Sequence, residues 1–427
     1  MKLLLTTRTL ALLSVVALAS GCNRSAGSSE KPVSSTSTPE ASITIVQGIS
    51  PAGVESREPE LTSAPDGRII LSWIEKTGDK HYALRFATHA GVNWSTVQTV
   101  AEGDDWFVNW ADFPSVIGLA DGSLAAHWLV KSGPGTYAYD VNIARSKDGG
   151  KTWGKPVVPH TDKTLTEHGF VSLIPLPDGR AGAIWLDGRD LAGMKHEEED
   201  KPSSVSMTLR YAAIDADGKL SDETQLDARV CECCQTSAAL TSDGAIAVYR
   251  DRSDKEVRDI HVVTSKQGTW SAPRPVSSDN WEISGCPVNG PSVAVDNRRV
   301  AVGWYTGAND SPRVKIAFSN DAGTTFGGAI EVADAETLGR VDVLLLPDGS
   351  ALVCWLSGNA DAGAINVRRV QSDGSLGAPA IIARTDISRS SGFPRMARLG
   401  NEVHFAWTEF GKPSHVRTAT ADISAYK

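Results

Sequence analysis

Four of the six cysteines stand close together in two short segments, and their thiols are suited to redox chemistry or metal binding. Three occur in Cys231-Glu232-Cys233-Cys234, and the fourth is Cys286. Such thiols form disulfides in an oxidising compartment, whereas four thiolates also suit zinc or Cu(I). Because the spacing matches no standard zinc pattern, we expect two disulfides, with metal binding as the alternative and His168 as a possible added ligand. Their pairing is left open, and Cys354 is expected to be a buried core thiol.

Acidic residues form a second group, each two positions after a regularly spaced aromatic residue. They are Glu75, Asp187, Asp251 and Glu409. Arginines stand beside two of them, in Asp187-Gly188-Arg189-Asp190 and Arg250-Asp251-Arg252. Charges of both signs can neutralise one another, so these residues form either a belt of salt bridges or a ligand-binding rim at one mouth of the fold.

The aromatic residues themselves mark an internal repeat. Short apolar runs end, at intervals of 51 to 64 residues, at Trp73, Trp128, Trp185, Tyr249, Trp304, Trp355 and Trp407. A tight turn with Asp-Gly or Asn precedes each run, and these residues supply the positive φ that a two-residue hairpin requires. Another alternating strand follows each run, and a fourth strand closes most of the units.

This repeat predicts an all-β fold, a β-propeller of four-stranded blades. The repeat gives seven blades, with six as the alternative. The seventh unit ends after its third strand, and residues 43–48 (ITIVQG) would supply the fourth. An N-terminal strand would then close the ring and remove a free sheet edge.

Four hairpins carry a more specific signature. Ser146–Trp153 matches S-x-D-x-G-x-T-W at every specified position, and Ser319–Phe326 matches it with Phe in place of Trp. Degenerate copies stand at His89–Trp94 and Ser265–Trp270. The carboxylate and hydroxyl of this Asp-box bond the backbone of their own turn, so the motif marks a fold and carries no chemistry. Together with the repeat, these motifs resemble the sialidase/BNR-repeat superfamily over nearly all of residues 43–427.

The resemblance implies a set of catalytic residues. A sialidase binds the substrate carboxylate with three arginines and uses a Tyr nucleophile activated by a Glu, with an Asp as acid and base. Arg57-Glu58-Pro59-Glu60-Leu61 resembles the R-I-P-x-L motif, whose Arg binds that carboxylate. The residues so implied, without an identified activating Glu, are Arg57, Arg189 or Arg252, Arg340, Asp79 and Tyr305.

The expected function is a sialidase-like exo-glycosidase acting on acidic terminal sugars. A non-catalytic module that binds a glycan or an envelope protein is one alternative, and a metal-handling lipoprotein that uses the cysteines is another. We expect no cofactor and a monomeric chain. The formal net charge of −9 argues against nucleic acid as a partner, because phosphate contacts need clustered cations.

The N-terminal segment is typical of an export signal. Lys2 and Arg8 precede an apolar run, and Ala19-Ser20-Gly21-Cys22 resembles the lipobox of bacterial lipoproteins. That resemblance implies a signal peptide over residues 1–21 and a lipidated Cys22. The Ser-, Thr- and Pro-rich composition up to residue 42 predicts a disordered tether, and the repeat predicts the propeller over 43–427. Lipoproteins retained in the inner membrane usually have Asp after the lipidated Cys, so Asn23 favours the outer membrane. We expect the protein to contact that membrane only through its lipid. The alternative interpretation of residues 1–21 is an ordinary secretory signal.

Overall fold

The computed structural model describes residues 43–193, 205–221, 223–334, 336–359, 362–424 and 426. The predicted signal peptide, Cys22 and the tether lie outside the described residues. Among those described, no helix is long and apolar enough to cross a membrane.

The described residues form seven antiparallel sheets arranged in a ring, so the chain is a seven-bladed β-propeller, as predicted. Blade 1 contains β2 (Ser56–Ser63), β3 (Ile69–Lys76), β4 (Tyr82–His89) and β5 (Gln98–Gly103). Blade 2 contains β6 (Ser115–Gly118), β7 (Leu124–Lys131) and β8 (Tyr139–Ser146). Blade 3 contains β9 (His168–Pro175), β10 (Ala181–Asp187), β11 (Met207–Ile214) and β12 (Thr224–Val230).

The remaining blades repeat this order of strands. Blade 4 contains β13 (Ser237–Leu240), β14 (Ala245–Arg250), β15 (Ile260–Lys266), β16 (Thr269–Trp270) and β17 (Arg274–Pro275). Blade 5 contains β18 (Ser292–Asp296), β19 (Arg299–Thr306), β20 (Arg313–Ser319) and β21 (Ile330–Ala333). Blade 6 contains β22 (Thr337–Leu345), β23 (Ala351–Gly358), β24 (Gly363–Val370) and β25 (Ala380–Thr385). Blade 7 contains β26 (Arg395–Leu399), β27 (Glu402–Glu409), β28 (His415–Asp422) and, from the other end of the chain, β1 (Ile45–Gln47). In the described part of the chain, three single 3₁₀ turns span Arg189–Leu191, Ala308–Asp310 and Arg389–Ser391.

Blade 7 closes the ring as the sequence predicted. Ile45 pairs with Ala421 and Gln47 with Ala419, so the first strand of the chain covers the outer edge of the last one. Blade 2 lacks a regular fourth strand among the described residues. Val157 occupies that position instead, where it exchanges backbone hydrogen bonds of 2.9 and 2.8 Å with Ile143.

The hydrophobic core lies between neighbouring blades. Second strands supply its largest side chains, and Trp73, Trp185 and Trp304 are fully buried. The cluster between blades 5 and 6 joins Val314 and Ile316 to Val343 and Trp355. Close packing there requires a glycine, since a Cβ at Gly303 would come within 2.4 Å of Val343.

The two best Asp-boxes bond their own turns, as predicted. Asp148 accepts from the backbone N–H (2.9 Å) and the hydroxyl (2.6 Å) of Thr152. Asp321 does the same with Thr325, at 2.8 and 2.7 Å. Both carboxylates are engaged in hydrogen bonds within their own hairpins, so their role is structural rather than catalytic.

The first strand of every blade lines a central cavity of about 560 Å³. Residues 109–113, in the connection from blade 1 to blade 2, lie across one end of it, and we call this segment the plug. The backbone carbonyl of Ala111 accepts a 2.7 Å hydrogen bond from Gln235, at the start of blade 4. Trp110 stacks on Phe393, next to blade 7, with ring centroids 5.9 Å apart. A segment that contacts such distant blades must lie across the axis of the ring.

Candidate active site at the plug

A bulge recurs at the start of the first strand in blades 1, 3 and 6. In each case the strand pairing shifts register and one residue takes a positive φ. The backbone N–H of that residue then donates to a side chain outside its own blade. The three pairs are Glu58 (φ 54°) to Thr408 at 3.1 Å, Phe170 (φ 52°) to Asp112 at 2.8 Å, and Arg340 (φ 54°) to Asn289 at 2.7 Å. Such bulges re-aim side chains, and strained backbone of this kind is common at functional sites.

Asp112, in the plug, is the centre of one polar network. Its carboxyl group accepts from Phe170 N–H and lies 2.9 Å from the Tyr139 hydroxyl. That hydroxyl also lies 2.7 Å from Glu167, yet it has one proton for the two acids. Burial raises the pKa of Asp112 to about 7, although its hydrogen bonds oppose this shift. Near neutral pH Asp112 can therefore be protonated itself, which gives the network a proton in addition to that of the Tyr139 hydroxyl.

Glu58, on the blade 1 bulge, is a second buried acid close enough to Asp112 for their charges to interact. Burial raises the pKa of Glu58 to about 8; the Arg57 charge opposes this shift and the Asp112 charge adds to it. Its Oε2 has no hydrogen-bond partner among the described residues. Glu58 is therefore a neutral carboxylic acid at pH 7, which is the form that can donate a proton.

Arg57 differs from the other arginines proposed for a carboxylate clamp. Its side chain is 32 % exposed, and its nearest carboxylate, Glu55, lies 4.0 Å away. Its Nε is itself buried and has no hydrogen-bond partner among the described residues. The exposed part of the side chain leaves the guanidinium open to a carboxylate from outside, and a guanidinium can hold a carboxylate in a bidentate manner.

The other three clamp arginines are engaged within the protein. Arg189 pairs with Asp187 at 2.7 Å and with Glu223 at 2.6 Å. Arg252 pairs with Glu256 and Glu232, and Arg340 donates to the Gly392 carbonyl at 2.8 Å. The structure therefore does not bring these three together with Arg57 around one vacant carboxylate position.

Arg340 nevertheless supports the plug. Its guanidinium lies 5.0 Å from the Trp110 ring centre, and it bonds the carbonyl of Ser388 at 2.9 Å. Burial lowers the pKa of Arg340 to about 10. Trp110 remains partly exposed and forms an aromatic surface beside Arg340 and Arg389.

The four acids predicted to ring the mouth are instead each matched with a basic group of their own blade. The pairs are Glu75–Arg85 at 3.0 Å, Asp187–Arg189 at 2.7 Å, Asp251–His261 at 3.7 Å and Glu409–Arg417 at 2.6 Å. Three of these basic groups stand directly across the strand pairing from the repeat aromatic, as Arg85 does from Trp73. Three of these pairs are salt bridges, as in the belt that was one of the two predicted alternatives. The Asp251–His261 pair differs, because burial raises the pKa of Asp251 to about 7 and lowers the pKa of His261.

Asp79 and Tyr305, the predicted acid and nucleophile, lie in different blades. Asp79 is exposed on the loop after β3. Tyr305 is half-buried near the end of β19, where its ring packs edge-on against Trp281 at 5.6 Å. Burial raises the pKa of Tyr305, which disfavours the phenolate that a nucleophile needs.

His168 lies in a separate buried cluster. Its ring stacks on His160, with centroids 3.7 Å apart, and its Nε2 is 3.3 Å from Asp162. Its contacts are thus with this cluster, which Arg189 joins through Asp162 at 3.3 Å.

The cysteine segments meet as predicted, at the start of blades 4 and 5. One disulfide is present, between Cys233 and Cys286, rather than the two expected. Cys231 and Cys234 are buried free thiols with their Sγ atoms 3.4 Å apart. Cys354 is a buried core thiol in β23, as predicted.

Sequence reasoning missed Trp110, Asp112 and Tyr139. One signal was present in two segments, Trp110-Ala111-Asp112-Phe113-Pro114 just before β6 and Arg57-Glu58-Pro59 at the start of β2. In both segments an acid stands one or two residues before a proline.

The fold and the repeats define the class of protein, a sialidase/BNR-repeat β-propeller. The chain belongs to the BNR repeat-like domain family, whose family model matches residues 67–404. No curated protein sequence matches the chain significantly.

Solved structures resemble it in fold at low identity. A NanB sialidase from Streptococcus pneumoniae is 9% identical with a TM-score of 0.47, over 84% of each chain. An α-L-arabinanase from Penicillium chrysogenum, solved with arabinobiose, is 12% identical with a TM-score of 0.49, over 90% of this chain and 98% of its own. The polysaccharide lyase Uly1 is 9% identical with a TM-score of 0.50, over 86% and 90%. These likenesses concern the fold alone.

Proposed function

We propose that this protein is a glycoside hydrolase that acts on a terminal sugar bearing a carboxylate. The observation that carries the proposal is the position of Glu58, a buried acid whose charge interacts both with the guanidinium of Arg57 and with a second buried acid, Asp112. Glycoside hydrolysis needs a proton donor and a second carboxylate, and environments that separate two pKa values assign those roles.

The roles follow from the surroundings of each group. Glu58, with the higher pKa, protonates the glycosidic oxygen. Asp112, which accepts from Phe170 N–H, is the acid more easily ionised and serves as the second carboxylate. Arg57 binds the substrate carboxylate, and the partly exposed face of Trp110 stacks on the sugar ring.

The test is the release of terminal sugar from sialic acid-capped and uronic acid-capped oligosaccharides by the purified chain. We expect Glu58→Gln to lower kcat by about 10² or more, as loss of a general acid does. Arg57→Ala should raise KM. Glu102→Gln is the matched control at an exposed position on β5, and it should leave both kcat and KM unchanged.

Two outcomes would overturn this assignment. Unchanged turnover in Glu58→Gln, with loss in Asp79→Asn or Tyr305→Phe, would return catalysis to the residues that the sialidase resemblance implies. Absence of turnover by the unaltered protein on every acidic terminal sugar would exclude a hydrolase of this type.

A second candidate is a non-catalytic glycan-binding propeller. It is favoured by the engagement of Arg189, Arg252 and Arg340 with groups of the protein itself, which leaves Arg57 without the partners of a three-arginine clamp. Calorimetric binding of an acidic oligosaccharide without turnover, abolished by Trp110→Ala, would establish this function instead.

We propose further that the chain works in the bacterial cell envelope, attached through a lipid on Cys22. The lipobox-like sequence before Cys22 supports this placement. Metabolic labelling with a radioactive fatty acid should mark the unaltered protein and leave Cys22→Ser unlabelled. Equal labelling of both would contradict the anchor.

A further inference from the structure

A buried dithiol lies directly behind a solvent-facing disulfide. Cys231 and Cys234 are each 1 % exposed, and their Sγ atoms are 3.4 Å apart. The Sγ of Cys231 is also 3.9 Å from that of Cys233, which is bonded to Cys286. The sulfur of Cys231 therefore contacts both its dithiol partner, Cys234, and one sulfur of the disulfide, Cys233.

The two pairs differ in access to solvent. Cys286, in the segment before β18, is exposed, and Cys233 is partly exposed. A molecule from solution can reach the disulfide but not the dithiol. Any exchange of the buried pair with the outside must therefore pass through Cys233 and Cys286.

Three buried arginines surround the dithiol. Arg252 and Arg258 are balanced by two acids, since both pair with Glu232 and Glu256. Arg258 also lies 3.4 Å from the Sγ of Cys231. Positive charge at this distance stabilises a thiolate, the reactive form of cysteine.

Arg250 adds a cation without a carboxylate partner. It is 2 % exposed, and among the described residues its guanidinium donates only to the backbone carbonyls of Asn289, Arg258 and Tyr305. A buried cation needs a counter-charge. The charge of Arg250 acts on the sulfur of Cys234, so a thiolate at that position would supply the counter-charge.

The titration of the pair agrees with this charge balance. Burial raises the pKa of Cys234, but the hydrogen bond from the Cys231 thiol and the charge of Arg250 outweigh it and lower the pKa to about 7. Burial raises the pKa of Cys231. The pair thus holds one proton between two sulfurs near neutral pH.

We propose that the four cysteines form a thiol–disulfide relay, in which the buried Cys231/Cys234 dithiol exchanges electrons with the outside through the Cys233–Cys286 disulfide. This activity is independent of the proposed glycan site. Thiol–disulfide exchange proceeds by attack of a thiolate on a disulfide sulfur through a mixed disulfide.

The internal transfer balances within the protein. Cys231 passes its proton to Cys234 and attacks Cys233, so that the Cys231–Cys233 bond forms and the Cys233–Cys286 bond breaks. Cys234, once deprotonated, then attacks Cys231, which forms the Cys231–Cys234 disulfide and releases Cys233. The single proton of the buried pair passes to Cys233 or Cys286, the other outer sulfur is left as a thiolate, and two electrons move from the buried pair to the outer pair.

The outer pair is reoxidised by a disulfide from solution. A thiolate of Cys233 or Cys286 attacks that disulfide, the second thiolate resolves the mixed disulfide, and the external partner leaves as two thiols. Oxidised glutathione provides a defined probe for this step. The same reactions in reverse let an external thiol reduce the buried pair.

The experiment follows disulfide formation in the folded chain treated with oxidised glutathione, by acid quenching, alkylation and peptide mass mapping. We expect the Cys231–Cys234 disulfide to appear in the unaltered protein. In the variant with both Cys233→Ser and Cys286→Ser, its rate should fall by an order of magnitude, because the buried thiols lose their route to solvent. Cys354→Ser is the matched control and should behave as the unaltered protein does.

A second variant tests the mechanism without removing the outer pair. Cys234→Ser leaves Cys231 able to attack but unable to be resolved, so the Cys231–Cys233 disulfide should accumulate together with a free Cys286 thiol. Failure of both the Cys231–Cys234 and Cys231–Cys233 disulfides to form would overturn the relay. So would purified protein that holds one equivalent of zinc or copper on four reduced cysteines, since that site would be a metal centre.

Discussion

The imidazole ring of His160, in the connection between blades 2 and 3, stacks face to face on that of His168, the first residue of β9, with centroids 3.7 Å apart and planes inclined by 6°. Burial lowers the pKa of His160 to about 4, and the charge of His168 adds to this shift. Burial also opposes the charge on His168, but Asp162 and Asp187 outweigh it and raise the pKa of His168. The surroundings therefore favour the neutral form of His160 and the cationic form of His168.

Replacement of His168 should have a pH-dependent cost. His168→Phe removes the cation that faces Asp162 and Asp187, and we expect it to lower the free energy of unfolding by about 3 kcal/mol at pH 6. A raised pKa stabilises the fold below the unfolded value and loses that contribution as pH rises through the folded value. The difference from the unaltered protein, measured by urea denaturation, should therefore shrink at alkaline pH.

His160→Phe is the matched control, with the opposite sign. The pKa of His160 is lowered to about 4, so its contribution is present above the unfolded value near 6.5 and is lost as pH falls toward 4. Equal pH profiles for the two variants would contradict the assignment of one neutral and one charged ring.

Glu58 should make the fold less stable as pH rises. Its pKa is raised to about 8, so its contribution is full below the unfolded value of about 4.5 and is lost between there and pH 8. We expect Glu58→Gln to flatten the decline of unfolding free energy over that range. Glu55→Gln, at a more exposed position, should leave the decline intact, and a flat profile in the unaltered protein would show that Glu58 is ionised throughout.

Asp112 should be the main anchor of the plug. Asp112→Ala removes the acceptor for Phe170 N–H and a partner of the Tyr139 hydroxyl, so we expect a loss of about 2–4 kcal/mol in unfolding free energy. Asp112→Asn keeps the shape and the acceptor for Phe170 and should lose less. Chemical denaturation monitored by tryptophan fluorescence measures both, and equal stability of all three proteins would refute the anchoring role.

Removal of β1 should open the ring. A chain that begins at Gly48 loses the three residue pairs that β1 makes with β28 and leaves an unpaired edge on blade 7. We expect a lower Tm and a greater tendency to aggregate than in a chain that begins at Ile43, which retains β1. Differential scanning calorimetry and light scattering provide the measurements; identical curves would mean that the ring does not depend on this closure.

The sequence predicted the ring because its signals are local. Turn residues, alternating strands and an aromatic residue such as Trp73 recur within each blade. The number of blades can therefore be predicted from these repeats without any information about contacts between blades. Closure by residues 43–48 followed from the missing strand of the seventh unit, and the pairing of Ile45 with Ala421 confirms it.

The candidate site was less accessible to prediction because it depends on contacts between blades. Asp112 meets Phe170, 58 residues away, and Ala111 meets Gln235, 124 residues away. Neither distance leaves a pattern in the sequence. Glu75 has its ionic partner in the same blade, because Arg85 lies across the strand pairing from Trp73. The equivalent positions of the four acids in their blades do not by themselves show whether each side chain points to the mouth or to a neighbouring strand.

The plug has a consequence for how the chain folds. Its residues are made early in synthesis, but Phe393 and Arg340, on which Trp110 rests, belong to the last blades. Loop-closure entropy must be overcome before such distant contacts contribute stability. The plug can therefore settle only when the ring is complete, and maturation of the site should be the final kinetic phase of folding, later than formation of the individual blades.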